Sequence, residues 1–133
     1  MNKRKPIFWE IFFLIILIAV LHKVALVFFL YWTTGWYDIM MHLLGGFWLS
    51  ISIIFIFFTS GHIRFPKEHK PLVFLFTISG VLVIGLGWEL WELFAGLTDV
   101  LEDLIDTVID VIMDSIGGTL AFIYYKKYIW PEN

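Results

Sequence analysis

Leu104-Ile-Asp-Thr-Val-Ile-Asp-Val-Ile-Met-Asp-Ser-Ile-Gly-Gly118 is the stretch on which the reading of this chain turns. It is apolar enough to be a helix in lipid. Yet Asp106, Asp110 and Asp114 recur in it at steps of four, and that spacing places them along one helix face. An ionised carboxylate within a membrane helix costs a few kcal/mol on insertion scales, so such residues are rare and usually functional. The same pattern appears twice more. Glu89 and Glu92 are i,i+3 near the end of another apolar run, and Asp38 and His42 are i,i+4 at the start of a third.

The rest of the chain explains why lipid is the right solvent to consider. Of its 133 residues 60% are hydrophobic and 20% aromatic, and the mean hydropathy is +0.87. An ordinary soluble domain does not look like this. Apolar runs cover about 7–32, 39–59, 71–95 and 104–125. At ~1.5 Å per residue each is long enough to cross a hydrocarbon core of ~30 Å. The expectation is an all-α polytopic protein, a four-helix membrane bundle forming a single membrane domain over residues 1–133. The first run follows Lys3, Arg4 and Lys5 but is too long for a signal-peptide core, and no small-residue cleavage pattern follows it. With no cysteine, disulfides and thiolate metal sites are excluded.

Charge is segregated along the chain. Basic residues cluster at Lys3-Arg4-Lys5, at Arg64, Lys67 and Lys70, and at Lys126-Lys127. The connection from Thr33 to Asp38 holds none, and that from Gly96 to Asp103 carries Asp99, Glu102 and Asp103. Four spans make these alternate as the positive-inside rule requires, with both termini cytoplasmic and the acids toward the extracytoplasmic side of the cell membrane. The basic clusters are short and accounted for by topology, so nucleic-acid binding has no support.

That topology brings acid to a common depth from three helices. His42, Glu89 and Asp110 fall within roughly 10 Å of the outer boundary, and Asp114 lies nearer the midplane. Asp38, Glu92 and Asp114 join them as further ligands or as groups that orient them, and Asp106 stands at the boundary. So many close carboxylates cannot all stay ionised without compensation. Lys23, the internal cation beside His22, can be the charge partner of one. Either shared protons or a divalent metal (Mg, Mn, Ca or Zn) must balance the rest, and an imidazole among carboxylates moves the preference toward transition metals. The competing reading, an acidic face of a helix lying on the membrane, fits poorly. Such helices usually carry Lys or Arg on their polar face, and this stretch carries none. Gly45-Gly46, Gly85, Gly87 and Gly117-Gly118 adjoin the acids and would let helices approach closely.

Three segments also carry a resemblance. Asp38-Ile-Met-Met-His42 with Gly45-Gly46, Gly87-Trp88-Glu89-Leu-Trp-Glu92, and Asp106-Thr107-x2-Asp110-x3-Asp114-x2-Gly117 together resemble the VanZ-like membrane proteins and the related YjdF-like group. Ile39 and Asp114 stand where the VanZ-like pattern often has Lys and Asn, so the YjdF-like group is the closer match. The first helix contributes nothing to it. The resemblance implies a role at the cell envelope, since VanZ-like proteins are associated with glycopeptide tolerance; it transfers no catalytic residue.

Two functions fit these residues. One is a metal-dependent membrane enzyme acting on a lipid or lipid-linked envelope substrate, with metal polarising an oxygen or ionising a water. The other is a cation or proton translocator using the acids as a relay. A structural or partner-binding subunit is the third, non-catalytic reading. Transport has a difficulty. Along Ile51–Phe58 and Leu72–Phe76 only Ser52 is polar, and Ser50, Thr77 and Ser79 are the other polar groups nearby, so a path would need a homo-oligomeric pore.

Overall fold

The computed structural model describes residues 4–60, 69–96 and 104–130, and among these every element is helical. Helix α1 spans Arg4–Phe28, the short α2 Leu30–Thr33, α3 Gly35–Ile54, α4 Lys70–Phe94 and α5 Leu104–Tyr128. A π-helical turn, Phe55–Thr59, extends α3. Four helices are long and apolar enough to cross a membrane: Pro6–Phe28, Gly35–Thr59, Lys70–Phe94 and Leu104–Tyr128. Lys3, Arg64, Lys67, Asp99, Glu102 and Asp103, used above for the charge pattern, lie outside the described residues.

The first apolar run is shorter as a helix than its hydropathy predicts. It breaks at Phe29, which sits in the left-handed region at φ 57. A bulky residue there is strained by about 1–3 kcal/mol, and the turn that follows offsets part of this. The Phe29 carbonyl accepts from Trp32 N and Thr33 N, both at 3.1 Å, and from Thr33 Oγ1 at 3.0 Å. Local chemistry sets both ends of α4. Pro71 occupies the first turn of α4, where its missing N–H leaves no bond unmade, and Gly96 closes that helix at φ +69.

Helices α3 and α5 form the heart of the bundle because glycine removes the side chains between them. A Cβ at Gly46 would overlap the backbone of Asp114, and one at Gly117 would overlap the Leu43 carbonyl. Backbones this close gain dispersion contacts that lipid cannot match. Ser50 Oγ, fully buried, donates to the Gly118 carbonyl at 2.9 Å across the same crossing. Helix α4 packs against both, with Gly118 against Val81 and Ile78. Away from the acids the interior is apolar and tight: Ile7, Ile51, Ile54, Val73, Ala121 and Phe122 form one cluster.

Helix α1 joins the bundle through side chains: Ile7 enters that cluster, and Tyr124 Oη of α5 donates to Glu10 Oε1 at 3.1 Å. The helix packs on α3 through Ala25, Tyr37 and Met41, and is tied there by Tyr37 Oη donating to the Leu21 carbonyl at 2.9 Å and Trp48 Nε1 to that of Ile11 at 3.2 Å. Its outer face, like Val83 on α4 (70% exposed) and Ile105 on α5 (75%), is the apolar surface that a bilayer covers.

Candidate metal centre

The acids of α3, α4 and α5 meet around one imidazole. His42 projects from the second turn of α3, one turn beyond Asp38, and lies 3.9 Å from it through Nε2 to Oδ1. From α4, Glu89 Oε1 is also 3.9 Å from Nε2. From α5, Asp110 Oδ2 lies 3.7 Å from the same nitrogen. Among the described residues the other nitrogen has a single neighbour of this kind, Asp114 Oδ1 at 3.4 Å. The helical steps 38/42 and 110/114 make this convergence local to each helix, while the glycine-mediated crossing of α3 and α5 brings the sets together.

The two nitrogens of His42 make two kinds of contact. At 3.4 Å, Asp114 is within reach of a long hydrogen bond from Nδ1, whereas 3.7–3.9 Å is too far for one. Ligand atoms about 2.1–2.4 Å from a shared ion, at tetrahedral angles, sit roughly 3.4–3.9 Å from each other. The carboxylates around Nε2 are at that separation. Ligand atoms of Asp38, His42 and Asp110 lie within 4.8 Å of one another. Glu89 is close to Nε2 but outside that mutual set, so it forms the fourth wall.

Burial makes the arrangement costly without compensation. Asp110 is 4% exposed and Asp114 5%. Glu89 Oε1 and Asp110 Oδ1 are buried and have no hydrogen-bond partner among the described residues. Unsatisfied buried carboxylate oxygens cost more than neutral ones, about 1–3 kcal/mol or above. A cation held among these side chains would compensate their charge, so the residues present fit a hard or borderline divalent ion with oxygen and imidazole ligands. Asp38, with a side chain 34% exposed, is the solvent-facing wall.

Other expected members stand differently. Glu92 is half-buried at the end of α4 and is not among the carboxylates within 4 Å of His42, and Asp106 is exposed. Lys23 is exposed on α1 and forms no ion pair among the described residues. Its neighbour His22 instead meets Tyr31 Oη at 2.8 Å through Nδ1. Burial, and next the charge of Asp38, push the Tyr31 hydroxyl up to about 12, so it stays a neutral hydrogen-bonding group.

An uncharged residue also belongs to the cluster. Thr107 Oγ1 donates to Glu89 Oε2 at 2.9 Å, fixing the carboxylate whose other oxygen faces His42. Spacing carries the signal, since residues 107, 110 and 114 are i, i+3 and i+7 on one face of α5.

The fold and the site thus define an α-helical integral membrane protein with four candidate spans and an Asp/His group gathered between three of them. The chain belongs to the family described as "Predicted membrane protein (DUF2238)", whose model matches residues 1–130. No curated protein and no solved structure matches it.

Proposed function

We propose that this protein is a divalent-metal-dependent membrane enzyme acting on a lipid or lipid-linked substrate of the cell envelope. The observation that carries the reading is the ring of Asp38, Glu89 and Asp110 oxygens 3.7–3.9 Å from His42 Nε2, two of these side chains holding an unpartnered buried oxygen. Asp38, His42 and Asp110 hold the ion. Glu89, gripped by Thr107 and set outside the mutual triad, is the acid–base group. Bound metal supplies a polarised phosphoryl or carbonyl oxygen, or an ionised water.

The alternation of basic and acidic connections supports cytoplasmic termini and a site opening extracytoplasmically. The resemblance to YjdF-like and VanZ-like proteins supports an envelope substrate. Translocation, the second reading, is opposed by what lies beyond Asp114. Ser50 donates to Gly118 and Thr77 to Val73, so these buried hydroxyls are engaged, and the surroundings are Ile51, Ile54, Val73 and Phe122. A one-sided site suits catalysis at the membrane surface.

Elemental analysis of the detergent-purified protein is the first test, with about one equivalent of a divalent metal expected and its loss in Asp110→Asn. The second incubates the protein with an envelope lipid extract and follows products by mass spectrometry with and without chelator. Chelator-sensitive turnover of a lipid supports the enzyme. Metal-free protein, or divalent-ion flux into proteoliposomes with no lipid turned over, rejects it.

A further inference from the structure

The two nitrogens of His42 face different environments, and the glycines beneath it explain why. Among the described acids, Nε2 looks toward Asp38, Glu89 and Asp110, whereas Nδ1 looks toward Asp114. Asp114 reaches that position because two helices give it room. A Cβ at Gly85 of α4 would sit 2.5 Å from Asp114 Oδ2, and one at Gly45 of α3 would meet Oδ1 at 4.0 Å. Its backbone in turn lies on Gly46. The carboxylate therefore occupies a slot floored by glycine, one helical turn deeper than Asp110 and on the far side of the imidazole from the other acids.

Resting on the metal reading above, we propose that Asp114 is a positioning residue and not a ligand. It accepts the Nδ1 proton of His42, so that Nε2 carries the lone pair directed at the cation, and Gly85 is present to seat it. A metal-bound histidine needs its second nitrogen held in this way. The held tautomer presents the lone pair at the correct nitrogen and fixes the ring plane, and loss of such a partner costs 10–100-fold in metal affinity. The side chains that hold unpartnered buried oxygens, Glu89 and Asp110, are ones that approach Nε2 and not Nδ1. Asp114, at 3.4 Å, is the carboxylate nearest the imidazole and the one within reach of a long hydrogen bond from it.

The test titrates Co²⁺ into full-length protein in detergent and follows its visible absorption, which reports affinity and ligand field together. Wild type and Asp114→Asn should bind with affinities within a few-fold and similar spectra, because the amide oxygen still accepts from Nδ1. Asp114→Ala and Gly85→Ala should bind roughly 10–100-fold more weakly at unchanged stoichiometry. Gly85→Ala is informative because it removes no ligating atom; it only fills the seat. If Gly85→Ala does not fold, the comparison of Asp114→Asn with Asp114→Ala decides alone. Asp114→Asn falling as far as Asp114→Ala, with the spectrum of a centre short of one carboxylate, would make Asp114 a ligand and overturn the proposal. Unchanged affinity in Asp114→Ala overturns it as well. Wild type that binds no Co²⁺ overturns the metal reading itself, and this proposal with it.

Discussion

The backbone of Gly46 on α3 rests directly on the backbone of Asp114 on α5, leaving no room for a single methyl group between them. Every distance in the His42 cluster depends on that contact, because α3 carries the imidazole and α5 two of its four acidic neighbours.

Adding a methyl there should therefore unsettle the whole bundle. Gly46→Ala and Gly117→Ala force backbones apart, and overpacking of this kind costs about 1–3 kcal/mol or more. A lower thermal unfolding midpoint in detergent is expected for both. Gly45→Ala serves as the control, since its Cβ would meet Asp114 Oδ1 at an ordinary 4.0 Å. Equal midpoints for Gly45→Ala and Gly46→Ala would contradict the crossing described.

Chelation should destabilise the wild type. A ligand present at a hundred times its dissociation constant stabilises by about 2.7 kcal/mol. Removing it should lower the melting midpoint of the wild type, and adding Mn²⁺ should restore it. Asp38→Asn and Asp110→Asn should melt at the same temperature with and without chelator. Asp106→Asn should behave like wild type, because Asp106 is exposed and outside the cluster. Identical melting of wild type in either condition would remove the metal from the account.

Thr107→Val keeps the shape of the side chain and deletes the donor to Glu89 Oε2. The stranded carboxylate oxygen should cost roughly 1–3 kcal/mol, and chelator-sensitive activity should fall. Thr107→Ser should retain both. Stability and activity unchanged in Thr107→Val would show that Glu89 needs no such support.

Because the chain has no cysteine, single introduced thiols report sidedness cleanly. Cysteine at Thr34 or at Ala95 should react with an impermeant reagent in intact cells, and cysteine at His69 should not. Reaction only at His69 would invert the topology and turn the site toward the cytoplasm.

Much of this protein was legible in one dimension. Four apolar runs of spanning length imply helices in lipid, since every backbone polar group must be paired there. Helical period alone aligns Asp38 with His42 and Asp110 with Asp114 on their own helices. The break at Phe29 was hidden, because hydropathy is blind to backbone conformation and nothing about a phenylalanine announces φ 57. The role of Thr107 was hidden too, since a threonine in a membrane helix usually bonds its own backbone, as Thr77 and Thr119 do here.

What the sequence determined by itself is the class: a membrane-spanning helical chain with acids and one imidazole at compatible depths. Which of those acids share a centre was decided only by tertiary structure. The choice depends on how α3, α4 and α5 rotate about their axes as they pack, and that rotation is set by where glycine permits backbones to touch. Gly46 and Gly117 turn Asp110 and Asp114 inward toward His42, while Asp106, one turn nearer the start of α5, remains exposed, and Lys23 stays exposed on α1, whose backbone comes close to that of α3 but not to those of α4 and α5.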